Sequence, residues 1–388
     1  MASDPAPVTP FTIDVESEVI DDLRQRLSAT RWPEAETVDD WSQGVPLGYA
    51  KEMAGYWADG YDWSARQARM NRFDHLTTEI DGLSIHAIHQ RSAHADAMPL
   101  LITHGWPGSV VEFDKIIEPL VDPTAHGGRA EDAFHVICPS LPGYGFSGKP
   151  TGTGWGVERI AAAWDVLMGR LGYDRYGAQG GDWGGAVTTQ IGRDASQGRA
   201  SCIAIHTNMP LGRPTDEAKA NPTDADKAAF AGAAHYRDWD SGYSKQQSTR
   251  PQTLGYGLAD SPAGQMAWIL EKFWAWTDCG HPNGHPEQAL SRDELLDNIM
   301  LYWLNGAGAS SGRLYWESFA NMAGSGRVEI PTGVASFPHE IVRSPRGWCE
   351  AGYNITHWTD MERGGHFAAF EQPEAFVADV RTFFATVR

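Results

Sequence analysis

The sequence predicts an α/β fold with a mainly parallel sheet, an N-terminal extension and a helical insertion covering one end of the sheet. Three observations carry this. Between residues 99 and 206, short apolar runs of strand length alternate with helix-period segments, the pattern of parallel strands joined by right-handed crossovers. From about 209 to 323 the alternation stops, and helix formers and aromatics take over. At Val328 it resumes and runs to a closing helix. The expected division is an extension over 1–91, a core over 92–208 and 324–388, and a helical cap over 209–323.

With 388 residues the chain can bury a large core. Its 31 basic and 50 acidic residues give a net charge of −19, which argues against nucleic acid or anionic membrane surfaces as partners. Cys138, Cys202, Cys279 and Cys349 lie far apart without CxxC spacing, so neither a zinc site nor a disulfide framework is suggested, and no cofactor is expected. Met1 to Pro10 lacks a basic region followed by an apolar core, and no apolar run reaches membrane-spanning length. The expectation is a soluble cytoplasmic protein. Sixteen Trp and 12 Tyr suggest aromatic-lined pockets as well as core.

In the extension, Val15, Val19, Leu23 and Leu27 recur at helical spacing behind Asp14 as a candidate cap, and the helix stops near Pro33. Tyr49 to Trp57 reads as a second helix. Leu76–Ile80 and Leu83–Ile88 flank Asp81-Gly82, a favoured two-residue turn, and read as a hairpin half-buried at a sheet edge. Pro99–Thr103 is a buried strand ending in His104-Gly-Trp-Pro-Gly-Ser109, with a helix expected from Val110 to Leu120. Phe134–Cys138 is the next strand, followed by the loop Pro139–Ser147 and a helix over about 156–171. Tyr176–Ala178 and Cys202–His206 continue the sheet. After the insertion come strands Val328–Ser336 and Asn354–Thr359 and a helix from Pro373 to about Phe384. Loops at the C-terminal ends of parallel strands form the ligand crevice, so 104–109, 139–147 and 182–185 converge on one mouth. Asn354-Ile-Thr356 matches a glycosylation sequon, but it falls in a predicted buried strand and is read as chance.

The chemistry is carried by Gln179-Gly-Gly-Asp182-Trp-Gly-Gly185. Small residues flank one nucleophile-capable side chain between strand and helix, the form of a nucleophile elbow. Its glycines let the backbone turn tightly and the helix pack close to the strand. The usual elbow carries serine; here it is aspartate. A carboxylate attacking an ester would only give an anhydride. Toward an electrophilic sp3 carbon it forms an alkyl ester that water can cleave. Asp182 therefore predicts ring opening or halide displacement and argues against lipase or protease chemistry.

Asp182, Glu340 and His366 follow the nucleophile–acid–base order of the α/β-hydrolase fold, each in a loop after a predicted strand. A lone His366 would read as an ordinary surface or core histidine; the order gives it meaning. Glu350, Asp360 and Glu362 are also available acids. Glu340 is preferred because it follows strand Val328–Ser336 directly, whereas Asp360 and Glu362 stand close to His366 in sequence.

Over nearly its whole length the chain resembles the microsomal-type epoxide hydrolases. The residues that carry this are His104-Gly-Trp-Pro-Gly-Ser109, Gly180-Gly-Asp-Trp-Gly184, Ser248-Thr-Arg-Pro-Gln-Thr253 with Asp260-Ser-Pro-Ala263, Phe337-Pro-His-Glu340 and Gly364-Gly-His-Phe367. Arg31-Trp-Pro33, Tyr61-Asp-Trp63 and Glu79-Ile-Asp-Gly82 resemble that family's N-terminal extension. The resemblance implies Asp182 as nucleophile, His366 as base and Glu340 as its partner. It also implies two cap tyrosines that bind the epoxide oxygen, and the matching positions are Tyr243 and Tyr315. The backbone N–H groups of Trp106 and Trp183 would meet the oxyanion, with His104 and Pro107 at the substrate pocket. Membrane-bound relatives carry an anchor helix, and none is read here.

A haloalkane dehalogenase would use the same elbow, but its leaving halide needs indole N–H donors, not phenol acids. A catalytically silent receptor or scaffold would not need the intact Asp/Glu/His set. The paired tyrosines and the extension favour the epoxide. The aromatic-rich insertion suggests a bulky aromatic epoxide. The acidic, anchor-free chain leans toward bacterial secondary metabolism of the enediyne antibiotic kind over detoxification. Homodimerisation rests on the resemblance alone.

Overall fold

The apolar runs assemble into one nine-stranded sheet in the order β1-β2-β3-β5-β4-β6-β7-β8-β9 in a computed structural model describing residues 6–280, 282–322 and 324–388. Residues 1–5, in the stretch read for a leader, and 281 and 323, in the expected cap, lie outside the described residues. The strands are β1 Thr9–Phe11, β2 His75–Ile80, β3 Leu83–Gln90, β4 Met98–Thr103, β5 Phe134–Pro139, β6 Tyr176–Gly180, β7 Cys202–Thr207, β8 Val328–Ser336 and β9 Tyr353–Asp360. β1, β2 and β3 join antiparallel, as does β3 with β5; the remaining pairings are parallel. Helices cover both faces, so central strands such as Leu100-Leu-Ile102 are buried without alternation. The expected α/β-hydrolase fold is what the chain adopts.

In the extension, α1 is Ser17–Ser28, α2 Leu47–Asp59 and α3 Trp63–Met70. The expected Asp14 cap is corrected: α1 begins at Ser17 behind Glu16, which makes no capping bond. Val19 is exposed, and Ile20 takes the inward position with Leu23 and Leu27. Asp62 accepts the Ala65 N–H and caps the unanticipated α3. Asp81 and Gly82 both have positive φ, the geometry of the favoured hairpin turn. That hairpin does not lie at the edge as expected. β3 pairs onward with β5, and the edge is the three-residue β1, too short to show a periodic signal.

The helix expected over 110–120 is broken into a 3-10 turn, Val110–Phe113, and a short helix α4, Ile117–Val121. Pro119 lacks an N–H and is tolerated only in a first turn, so the helix starts late. Then come α5 Val157–Arg170 and α6 Asp182–Ser196. After β7 the chain is helical up to β8: α7 Asp216–Ala220, α8 Asp224–His235, α9 Gly242–Thr249, α10 Pro251–Asp260, α11 Pro262–Trp276, α12 Arg292–Leu304 and α13 Gly308–Ser318. The end of the chain supplies α14 Arg346–Cys349, α15 Ala368–Glu371 and α16 Pro373–Phe384.

The extension grips α12. Tyr56 Oη donates to Asp293 at 2.7 Å, Tyr61 Oη donates to Asp297 at 2.7 Å, and the Arg66 guanidinium forks onto the Asp297 carboxylate. Trp57 Nε1 reaches Met300 Sδ at 3.2 Å.

Candidate active site

At the end of β6 the chain turns through Gly181 into α6, and Asp182 takes a left-handed φ of 50°. A non-glycine residue there costs roughly 1–3 kcal/mol, so the surroundings must over-determine it. They do so by close backbone approach. A Cβ on Gly180 would lie 2.2 Å from the Gly184 carbonyl oxygen, and one on Gly184 only 1.8 Å from that of Thr103. The elbow therefore seats against the end of β4, directly under the loop 104–109. Gly105 faces Asp182: a Cβ there would meet its Oδ1 at 2.1 Å.

The two carboxylate oxygens of Asp182 have different surroundings. Oδ1 accepts the Trp106 backbone N–H at 2.8 Å, and Oδ2 lies 3.5 Å from His366 Nε2. The Trp183 N–H sits in the first turn of α6, where no acceptor exists within the helix. The Trp106–Pro107 bond is cis. His366 Nδ1 pairs with Glu340 Oε1 at 2.6 Å, and the same oxygen accepts the Ile341 N–H at 2.7 Å. The His366 N–H donates to the Trp276 carbonyl at 2.9 Å, tying the histidine loop to the end of α11. Burial opposes charge on His366, but Glu340 and Asp182 outweigh it and hold its pKa well above the ordinary imidazole value. Of the other acids, Asp360 pairs with Arg343, Glu350 pairs with Arg346, and Glu362 is exposed.

Tyr243 on α9 and Tyr315 on α13 are both buried and meet edge to face at 5.7 Å between ring centroids. Tyr243 stacks on Trp106 at 4.7 Å, and Tyr315 sets its ring against Trp183 at 4.8 Å. The two tyrosines thus rest on the two tryptophans beside Asp182. Burial pushes both phenols well above their ordinary pKa, so both are neutral donors. The Tyr315 hydroxyl is buried with no hydrogen-bond partner among the described residues. The Tyr243 hydroxyl is 3.1 Å from that of Tyr236, a residue no sequence motif singles out.

His104 lines a small chamber beside Asp182, but both its nitrogens serve the loop. Nδ1–H donates to the Gly105 carbonyl at 2.9 Å, and Nε2 accepts the Leu141 N–H at 3.1 Å. Burial lowers its pKa to about 4, so it is neutral. Pro107 offers its carbonyl to Asn298, at 2.7 Å from Nδ2. The chamber, about 20 Å³, is also lined by Thr103, Glu112 and His366, and is large enough for a water. Glu112 was missed, although it stands three residues past the His104–Ser109 motif. Burial pushes its carboxyl up to about 8, with Asp182 adding to the rise and His366 opposing it. On the cap side a cleft of about 1260 Å³ is lined by Tyr236, Trp239, Tyr243, Trp268, Lys272 and Glu340.

Among the described residues, no group of three or more His, Cys, Asp or Glu side chains is placed to hold a metal ion. Nor is any described helix long and apolar enough to cross a membrane.

Residues 8–113 match the family model for the epoxide hydrolase N terminus, and residues 98–238 match that for the alpha/beta hydrolase fold. A Stigmatella aurantiaca protein provisionally named an epoxide hydrolase is 52% identical, over 98% of this chain and 86% of its own length. Epoxide hydrolase 1 of Sus scrofa is 37% identical over 98% of this chain and 89% of its own. The solved Aspergillus niger epoxide hydrolase superposes with a TM-score of 0.87 at 31% identity, covering 99% of this chain and 97% of that one. Identity at this level, sustained through extension, core and insertion alike, leaves one assignment: the chain belongs to the microsomal-type epoxide hydrolases, built on the α/β-hydrolase fold.

Proposed function

We propose that this epoxide hydrolase works through an ester on Asp182 and acts on a bulky, aromatic epoxide. The observation that carries the mechanism is the division of labour at Asp182, with Oδ1 held by the Trp106 N–H and Oδ2 facing His366. Oδ2 attacks one ring carbon while the carbon–oxygen bond breaks. Tyr315 or Tyr243 gives its proton to the departing oxygen, because a bare alkoxide is a poor leaving group. The products are a hydroxyalkyl ester and a tyrosinate, which recovers its proton from the charged His366. Esterification removes the Asp182 charge that helped to keep His366 protonated, so the imidazole is now a base. It takes a proton from water, the water oxygen bonds to the Asp182 carbonyl carbon, and the charge moves to Oδ1. Trp106 and Trp183 N–H groups meet it there. Collapse expels the diol alkoxide, which is protonated by His366, and the new Asp182 carboxyl returns its proton to the imidazole. Glu340 fixes the ring and its tautomer throughout.

The aromatic lining of the large cleft supports the substrate class. The same reading places the enzyme in the cytoplasm, as a homodimer serving antibiotic-type secondary metabolism; light scattering of the purified chain tests the dimer.

The central test is one turnover of styrene oxide by excess enzyme in heavy-oxygen water. Label is expected in the Asp182 peptide, with an unlabelled first diol. Label in the diol and none in Asp182 would mean direct attack by water and would overturn the mechanism. His366→Gln should stop at the ester, with hydrolysis slowed by about 10³-fold or more.

A further inference from the structure

We propose that Asn298, on α12 of the cap, is a positioning residue for ester hydrolysis: it holds the loop 106–109 so that the Trp106 N–H meets Asp182 Oδ1. The inference rests on the covalent mechanism above. One buried amide makes two opposed bonds to that loop. Its Nδ2–H donates to the Pro107 carbonyl at 2.7 Å, and its Oδ1 accepts the Ser109 hydroxyl at 2.7 Å. One turn later on the same helix face, the Tyr302 hydroxyl donates to the Gly108 carbonyl at 2.8 Å. Three consecutive loop residues are therefore tied to one helix, and all three tethering side chains are buried.

The loop needs an external hold. Gly105 and Gly108 bracket Trp106 and Pro107 and supply no side chain of their own to brace it. A Cβ on Gly105 would strike Asp182, and one on Gly108 would fall 1.4 Å from Glu112 Oε1. The Trp106 donor is one residue from the tethered Pro107 carbonyl, so slack in the tether is slack in the 2.8 Å bond to Oδ1. Helix α12 is in turn gripped by Tyr56, Tyr61 and Arg66 of the extension. A hydrogen-bonded path thus runs from extension to cap helix to loop to nucleophile. It gives the extension a part in the chemistry.

The two chemical steps weigh this contact differently. Oδ1 is a spectator while Oδ2 attacks the epoxide, but it carries the negative charge when water attacks the ester. Loss of one such donor costs roughly 10²–10³-fold, and a misplaced one costs part of that.

The test is rapid-quench mass analysis of the full-length enzyme with styrene oxide, reading ester formation and ester loss separately. Asn298→Leu, of similar volume, should slow ester loss by about 10–100-fold and ester formation by less than about 3-fold, so that the ester accumulates. Ser109→Ala removes one arm and should slow ester loss by a smaller factor. The double variant should be no slower than Asn298→Leu, because both act through one path. Asn298→Asp keeps the Ser109 acceptor but sets a carboxylate oxygen against the Pro107 carbonyl, and carries the same test should the leucine variant not fold. Equal slowing of both steps, or additive effects of the two single changes, would overturn the proposal and leave Asn298 a packing residue. A wild-type enzyme that never gains the ester mass would overturn the covalent mechanism and this proposal with it, by a separate observable.

Discussion

Replacing Glu112 by Gln should remove a pH-dependent instability that the site builds into the enzyme. Glu112 is half-buried and lines the chamber that Asp182 and His366 also line. Burial lifts its pKa from an ordinary 4.5 to about 8. Below pH 4.5 it is protonated in both folded and unfolded chains and makes no difference to stability. Between 4.5 and about 8 only the unfolded chain releases the proton, so unfolding gains about 1.4 kcal/mol per pH unit. At pH 7 the accumulated cost is about 3 kcal/mol, and above pH 8 it levels off near 5 kcal/mol. Gln keeps the shape and hydrogen-bonding capacity of the neutral acid and cannot ionise. Glu371, pushed up to about 7 by burial, titrates in both proteins and cancels to first order. Urea unfolding of wild type and variant from pH 4 to pH 9 should therefore give curves that diverge with rising pH, the variant becoming the more stable. A gap independent of pH would refute the reasoning, as would a protonated-carboxyl infrared band at pH 7 that is no stronger in the wild type than in the variant, in which Glu371 still contributes.

Tyr315→Phe separates activity from stability: it should slow ester formation by about 10²-fold, read by rapid-quench mass analysis, while leaving stability unchanged or raised by about 1 kcal/mol, because the lost hydroxyl is buried and unpartnered. Tyr243→Phe should slow the same step without the gain in stability, since it forfeits the contact with Tyr236. Arg66→Met strands the buried Asp297 carboxylate on α12 and should cost about 3 kcal/mol in urea unfolding, a loss that pairing with Tyr61 alone does not recover.

How much of this the sequence could show follows from the range of each signal. The central strands were legible because burial on both faces leaves continuous apolar runs, as in Leu100-Leu-Ile102. The hairpin was legible because Asp81-Gly82 is a local turn signal. The short β1 was not, since three residues show no period, and its pairing with β2 is a tertiary fact. Pro119 is a local signal against one continuous helix over 110–120, and the chain there is broken into a 3-10 turn and a short helix. At the site, the elbow showed in the spacing of glycines around Asp182, and chain order singled out Glu340 and His366. The Glu340–His366 contact depends on Phe337-Pro-His-Glu340 lying beside Gly364-Gly-His366, which only the folded chain supplies. Asn298 acts through contacts across a long sequence separation, Glu112 acts inside a chamber, and Tyr236 acts through a single hydroxyl contact with Tyr243. No periodicity or motif logic marks such residues, although Glu112 lay within reach of the loop motif.

The charges in the site order the two chemical steps. Asp182 and Glu340 flank one charged imidazole, and Glu112 stays neutral because a further carboxylate in the same desolvated space would meet both burial and Asp182. In the proposed mechanism Asp182 is the nucleophile while it is a carboxylate, and its charge helps to hold the proton on His366 that prevents the imidazole from acting as a base. Water activation is therefore suppressed until a substrate has been captured. Forming the ester removes one of the two charges that hold that proton, and Glu340 alone offsets less of the burial penalty. The base thus appears when its substrate, the ester carbonyl, does. In the proposed mechanism, neutralisation of the nucleophile is itself the switch that times the reaction. The donor at Trp106 must then be in place beforehand, which is why a loop bracketed by Gly105 and Gly108 is held from outside by Asn298 and Tyr302.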